Sequence, residues 1–275
     1  MSNVPDALKA VTAAERRKLP VPDAVRQAAA VQAAVADTAR RPDPERPALP
    51  DDAASVQQVI RDHAAELQLL DVTRRAANRF REEADHRYVQ AVRDAIPAWI
   101  GGLQKEYTTL VGVIAKAAAK LPEALDQIDP RRMDWNNAAH SAAYTKAEGA
   151  AVQLEQLISD RADMVKVAGG DGGRDNALFA VAALPEPTTE QVMADDWKRL
   201  SPAIAQWRDL RQQPVARWVY LVRQQELSLS LATPGEVRQR AAQVERWRDA
   251  GWARRSALTG SGAEAAVRQY LAETA

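Results

Sequence analysis

The residues that could carry out chemistry are few, and histidine is the scarcest, with three in 275 residues. Glu83 and His86 have the E-x-x-H spacing that places a carboxylate and an imidazole on one helix face, as in di-iron carboxylate bundles. Such a site needs a second E-x-x-H pair and two further glutamates from facing helices. The other two histidines, His63 and His140, have no glutamate three residues before them. The sequence therefore predicts no metal site and no cofactor.

Motifs for nucleophilic and phosphate chemistry are also missing. The chain has no Cys, which excludes disulfides, thiolate metal sites and a cysteine nucleophile. Ser261 lies in Thr-Gly-Ser-Gly-Ala, not in a G-x-S-x-G elbow, and with Glu264 it is interpreted as a helix cap. The run GGDGG at 169–173 lacks the Gly-Lys-Ser/Thr of a P-loop and the alternating carboxylates of a calcium loop. We interpret it as a flexible hinge or surface loop.

Carboxylate pairs are abundant but do not define a catalytic site. Asp195–Asp196 is one, and Asp160 with Asp163 is another. Neither has a neighbouring group that would assign one acid and one base. The sequence therefore predicts a protein that is not an enzyme.

The basic residues raise the question of nucleic acid. Lys plus Arg and Asp plus Glu each number 37, so the formal net charge is zero, which argues against a protein that binds polyanions by bulk charge. Segment 188–275 is nevertheless arginine-rich, and Arg246, Arg248, Arg254 and Arg255 are candidate partner contacts there. Carboxylates alternate with these arginines, as on a solvated helix face with intrahelical pairs. A nucleic-acid-associated helical regulator is therefore the alternative hypothesis, and it is not favoured.

Composition predicts that the elements are helices. The chain has 56 Ala and 29 Arg, both good helix formers, and only two Phe. We predict an all-α fold, with long amphipathic helices in an elongated bundle and a C-terminal cluster of shorter helices. The predicted segments are an N-terminal helical arm and linker at 1–50, a long-helix bundle or rod at 51–187, and a C-terminal helical domain at 188–275.

The N-terminal arm should contain two helices, at 5–19 and 22–40, followed by an extended linker with Pro42, Pro44, Pro47 and Pro50. The second helix has a face of mostly small residues, so it must dock on another element to be stable. Its larger apolar side chains are candidate contacts, namely Val25, Val31 and Val35.

The rod should begin after Asp51 and Asp52 as a single long helix. Apolar residues follow one another at steps of three or four, the pattern of one continuous helix face: Val56, Ile60, His63, Leu67, Leu70, Arg74, Ala77, Phe80, Ala84, Tyr88, Ala91, Ala95 and Trp99. Pro97 should bend this helix, and the Gly101–Gly102 pair offers a second break. Trp99, beside this bend, either anchors a partner or fills the core, and its size favours the core.

The rest of the chain should form one further long helix and then shorter ones. The long helix is expected from about 134 to 167. Residues 177–184 form a short apolar run, which the spacing of its apolar residues alone cannot assign to helix or strand. Capping signals predict the C-terminal helices, which we place near 189–200, 202–212, 214–231, 234–258 and 262–273.

These patterns favour a structural role. Long amphipathic helices, small-residue faces and the lack of a convergent catalytic set are typical of a helical scaffold or adaptor that acts through protein partners. We expect a homo-oligomer or a component of a larger complex, such as a phage or bacterial particle. Residues 1–19 carry six charged side chains and no apolar run, so they do not form a secretory signal, and we expect no membrane segment. The expected location is the cytoplasm or a particle assembled there.

Overall fold

The fold was analysed in a computed structural model of the chain. It describes residues 3–173, 176–186, 188–194, 197–257 and 259–272, with the side chains of 197–201 excepted. Within these residues the chain is almost entirely helical, which confirms the predicted all-α class. The predicted Asp195–Asp196 pair and residue 273 of the last predicted helix lie outside the described residues.

The helices differ greatly in length. In chain order they are α1 (Val4–Arg16), α2 (Asp23–Arg40), α3 (Ala53–Ala118), α4 (Ala138–Lys166), α5 (Asn176–Phe179), α6 (Thr189–Met193), α7 (Trp197–Asp209), α8 (Pro214–Arg223), α9 (Pro234–Ser256) and α10 (Gly260–Ala272). Short 3₁₀ segments occur at Leu125–Ile128 and Leu210–Gln212. A pair of two-residue antiparallel strands, β1 (Ala182–Ala183) and β2 (Ser228–Leu229), aligns Ala182 with Leu229.

Two compact units divide the chain, Met1–Ala95 and Ile96–Ala275. The division falls inside α3 and inside the predicted segment 51–187. It therefore reflects how the helices pack, whereas the predicted boundaries were set by proline-rich and glycine-rich stretches. The predicted three-part organisation, 1–50, 51–187 and 188–275, stays a prediction.

The first unit packs α1, α2 and the first part of α3 together. One face of α1 is lined with alanines that are fully buried, among them Ala7, Ala10 and Ala14. Such small side chains let helices approach closely, although each buries little apolar area. On α2, Gln32 donates a hydrogen bond of 3.0 Å to Asp85 of α3. The N-terminal helices therefore dock on α3, as the sequence required of the second one.

The Pro-rich linker returns along α3. Arg74 donates through Nε to the carbonyl oxygen of Arg41 at 2.8 Å and through Nη1 to Asp43 at 2.8 Å. The chain from Asp43 to Ala53 reaches about 31 Å at about 3.1 Å per residue, while α3 from Ala53 to Arg74 is about 32 Å long at about 1.5 Å per residue. The linker must therefore be almost fully extended, as its prolines predict.

Helix α3 is continuous through Pro97, where a bend was expected, and through the glycine pair, where a break was expected. Asp52 caps its start, accepting a hydrogen bond of 2.9 Å from the backbone N–H of Ser55. The backbone stays helical through Pro97 and through Gly101–Gly102. The expected break at the glycine pair is therefore wrong. Trp99 and Leu103, on either side of this pair, are each 1% exposed, and their packing outweighs the weak helix propensity of glycine.

The second unit contains the aromatic core. Tyr107 of α3 and Trp207 of α7 both make edge-to-face contacts with Trp218 of α8, at centroid distances of 6.1 and 5.1 Å. Leu154 and Leu157 of α4 are fully buried in the same unit. Such aromatic pairs stabilise a core beyond the area that they bury.

The remaining boundaries match the sequence predictions in part. Capping boxes at Thr188–Gln191 and Thr233–Glu236 start α6 and α9 as predicted. Ser201–Pro202 does not start a helix, because Pro202 lies inside α7. The predicted helix 214–231 ends at Arg223 and gives way to β2, and the undecided run 177–184 contains both the end of α5 and β1.

Candidate protein-interaction surface

An apolar stripe on the N-terminal part of α3 is exposed to solvent. It consists of Ala65, Leu69, Val72 and Ala76, with Phe80 at its edge, and we call it the open face. Leu69 is 69% exposed, Val72 50% and Phe80 60%. The residues recur at steps of four, three, four and four, so they share one side of the helix. Large apolar side chains aligned in this way mark a surface for protein contact more often than single ones do.

The open face lies away from the side of α3 that the first unit covers. The covered side carries Ala77, Ala84 and Tyr88, which are buried, and Arg74, which holds the linker. At about 100° per residue, the centres of the two stripes are about 130° apart around the helix axis. Docking of α1, α2 and the linker therefore leaves the open face uncovered within this unit.

Four charged residues flank the open face without an ion pair in the described part of the chain: Arg61, Asp62, Arg79 and Glu82. All four are exposed. Asp62 accepts a hydrogen bond from the Gln58 amide at 2.8 Å, which leaves its charge uncompensated. Other charges nearby on α3 are paired, such as Arg75 with Asp71 at 2.6 Å and Arg87 with Glu83. The open face therefore combines an apolar centre with free charges of both signs at each end.

The candidate contacts predicted on the arm and at Trp99 lie in different environments. Val25 and Trp99 are each 1% exposed, so neither presents a surface to a partner, and for Trp99 this is the core position that its size favoured. Val31 is 49% exposed, and Val35 is partly buried. Of this set, Val31 alone presents a large exposed surface.

The arginines predicted as contacts near the C-terminus largely bind within the chain. Arg254 donates to the carbonyl oxygen of Met193 at 2.7 Å. Arg248 pairs with Glu245 at 2.6 Å, and Arg246 lies 3.7 Å from the Glu186 carboxylate. Arg255 is exposed. Among the described residues, these contacts go to three different partners, Met193, Glu245 and Glu186.

Three further arginines of this region support the core. The guanidinium carbon of Arg217 lies 3.5 Å from the centroid of the Trp207 ring, and its Nη1 is 3.2 Å from both Glu155 carboxylate oxygens. Burial lowers the pKa of Arg217, and Glu155 opposes that shift. Arg223 donates to four carbonyl oxygens at and beyond the C-terminus of α3, at 2.9 to 3.2 Å. Arg240 binds the Phe179 carbonyl at 2.8 Å.

The glycine-rich run 169–173 is tied to the core by a charge pair. Arg161 of α4 is 1% exposed and bonds both carboxylate oxygens of Asp171, at 2.7 and 2.8 Å. Gly169, Gly170 and Gly172 have φ values of +90°, +68° and +81°, which favour glycine at each position. The sequence predicted the loop but not this anchor, because Arg161 and Asp171 match no motif.

The second unit also has a cavity of about 470 Å³ between the segment that follows the 3₁₀ residues 125–128 and the start of α8. Its lining includes Asp129, Tyr144, Glu148 and Gln213. Burial raises the pKa of Tyr144, and the carboxylates of Glu148 and Asp129 add to the shift. The lining holds no set of groups that defines a reaction.

Metal and membrane sites were considered in the same residues. In the described ranges, no three His, Asp or Glu side chains come together as a metal site would require. Glu83 of the E-x-x-H pair bonds Arg87, and His86 is exposed. No helix in the described part of the chain combines the length and the apolar character of a membrane span.

Comparisons with protein-family models, with curated proteins and with solved structures found no match.

The open face was not predicted, because the single stripe expected on α3 included Phe80. A second stripe was nevertheless readable, since 65, 69, 72 and 76 repeat with the same period as the first. Two stripes on one helix predict two contacts, one of which the first unit supplies.

Proposed function

We propose that the chain is a non-enzymatic helical assembly protein, a scaffold or adaptor in a larger complex, and that the open face of α3 is one of its contact surfaces. The observation that carries this proposal is the alignment of Leu69, Val72 and Phe80 on an exposed side of a long helix whose other side is covered. Burial of each of these side chains by a partner would contribute about 1.5–3 kcal/mol to the free energy of binding. A partner that covered all three would therefore gain several kilocalories per mole.

The inward direction of three arginines in the arginine-rich segment supports this function over nucleic-acid binding. Backbone carbonyl oxygens of the second unit accept hydrogen bonds from the guanidinium groups of Arg217, Arg223 and Arg240. A phosphate-binding surface needs such groups to face solvent. The proposed partners are therefore proteins, and the proposed setting is a bacterial or phage particle assembled in the cytoplasm.

The test is the mass of the purified chain, alone and mixed with the products of its neighbouring genes, measured by analytical ultracentrifugation. We expect a complex larger than one chain in at least one of these samples. Leu69→Lys/Val72→Lys should abolish this complex, because burying either lysine would remove a charge from water. Ile60→Lys/Leu67→Lys is the matched control, on exposed residues of α3 outside the open face. A wild-type chain that is monomeric in every sample would overturn the proposal.

A further inference from the structure

We infer that the partner of the open face is the open face of a second copy of this chain, with the two α3 helices antiparallel. The inference rests on the proposed function, because it assigns a partner to the surface on which that function depends. The pairing places Leu69 opposite the second copy's Val72 and continues outward in both directions.

The apolar residues of the open face match each other in this pairing. Ala65 lies opposite the second copy's Ala76, so the two small residues sit on both sides of the Leu69–Val72 layers. Phe80 lies at the edge of the pairing, outside the Ala65–Ala76 layer. Each pair occurs twice because the arrangement has twofold symmetry.

The charges match as well. Asp62 lies opposite the second copy's Arg79 at the ends of the apolar centre, and Arg61 lies opposite the second copy's Glu82 on the flank. All four residues lack an ion pair within the described part of one copy, so the pairing compensates charges that the first unit leaves free. Charge order of this kind sets the orientation and register of paired helices.

Other arrangements of the same two faces bring unfavourable neighbours together. In a parallel dimer in register, Asp62 would face Asp62 and Arg79 would face Arg79. An antiparallel dimer could also be shifted by seven residues. A shift in one direction would place Leu69 opposite Arg79, and a shift in the other would place Val72 opposite Asp62. Like-charge contacts and buried unpaired charges both disfavour these alternatives.

The contact is small. From Asp62 to Arg79 the helix rises about 26 Å at about 1.5 Å per residue. One helix face of that length is below the standard size of a stable interface, so the dimer should be weak. Measurements of dimer formation should therefore extend to about 500 μM protein.

Cysteine pairing tests the register directly, because the chain has no native Cys. Ala65→Cys and Ala76→Cys are both exposed substitutions, prepared as separate proteins and then mixed under mild oxidation. We expect a disulfide-linked dimer in the mixture, and little in either protein alone. Efficient disulfide formation in each protein alone would indicate a parallel pair and would overturn the inference.

Charge reversal tests the pairing without a covalent bond. Asp62→Arg and Arg79→Asp should each weaken the dimer about tenfold, because either change creates two like-charge contacts. Asp62→Arg/Arg79→Asp together should restore the wild-type Kd but should not pair with the wild-type chain. Asp71→Arg makes the same charge change outside the open face and should leave Kd unchanged. No effect of either single reversal would contradict the inference.

The two proposals can fail separately. A chain that is monomeric alone up to about 500 μM, yet forms a complex with a neighbouring gene product through Leu69 and Val72, would overturn the self-pairing and leave the assembly function standing. A monomer in all samples would remove both.

Discussion

At the scale of single residues, buried charges hold the second unit together. Arg161 is almost fully enclosed, and Asp171 supplies its only carboxylate contact among the described residues. Desolvation of a guanidinium is costly unless a carboxylate and hydrogen bonds compensate it. The Arg161 Nε also donates to the Ala232 carbonyl at 2.8 Å, so one side chain connects α4 to the glycine-rich run and to the start of α9.

Asp171→Asn should therefore lower the free energy of unfolding by about 2–4 kcal/mol. Urea unfolding followed by tryptophan fluorescence measures the second unit alone, since all seven Trp lie between Ile96 and Ala275. Asp126→Asn is the control, because Asp126 and Arg132 form an exposed pair at 3.5 Å that should contribute less than about 1 kcal/mol. Equal losses in the two variants would argue against a role for burial.

Tyr107 should make the second unit sensitive to alkaline pH. Its hydroxyl donates to the Val181 carbonyl at 2.6 Å, and burial raises its pKa far above the ordinary value of 10.0. The folded state keeps the proton where the unfolded chain has lost it. The stability that the neutral hydroxyl contributes is thus complete below pH 10 and falls as pH rises above it, by at most about 1.4 kcal/mol per pH unit.

Tyr107→Phe checks the sign of this effect. We expect a loss of about 1–2 kcal/mol at neutral pH, because the Val181 carbonyl loses its donor, and a shallower decline in stability above about pH 10. Urea unfolding at a series of pH values measures both. An unchanged alkaline slope in the variant would assign the decline to other groups.

At the scale of elements, the continuity of α3 can be tested at its glycine pair. Gly101 is helical and exposed, and an added Cβ would meet nothing within 4 Å. Gly101→Ala should therefore stabilise the second unit by about 0.5–1 kcal/mol, because alanine loses less backbone entropy in a helix. Thermal unfolding measures the change. Gly169→Ala, at φ +90°, should instead destabilise it by about 1–2 kcal/mol, and destabilisation by Gly101→Ala would indicate that the helix is interrupted there.

Local signals predicted the elements that depend on local chemistry. The Asp52 cap, the two capping boxes and the extended linker were readable because a few adjacent residues determine them. The end of α8 at Arg223 was not, since no glycine or proline follows, and the guanidinium of Arg223 instead caps the end of α3 more than a hundred positions earlier. Contacts between distant segments leave no periodic pattern in the sequence.

The candidate surface was predictable only in part, for a related reason. The steps of three and four residues identified an amphipathic α3, but they did not separate the covered stripe from the open face. That distinction needs the position of the linker, which the bond between Arg74 and the Arg41 carbonyl provides. The free charges at Asp62 and Arg79 become informative only when their neighbours are seen to be paired.

At the scale of the whole molecule, zero net charge conceals a segmental order. Residues 1–50, 51–128, 129–187 and 188–275 carry +2, −2, −3 and +3. Three of the 13 basic residues of the last segment direct their charge into the second unit: Arg217, Arg223 and Arg240. The charges available to a partner are therefore fewer than the composition suggests. Those around the open face are available because they are exposed and have no ion pair within the described part of the chain.

The charges around the open face also limit how an assembly could grow. Arg61 and Asp62 at one end complement Arg79 and Glu82 at the other, so a half-turn maps the patch onto itself. A contact with that symmetry consumes the same patch on both copies and closes after one pairing. Growth into a ring or filament would need a second surface, and an assembly built on paired α3 helices would contain an even number of chains.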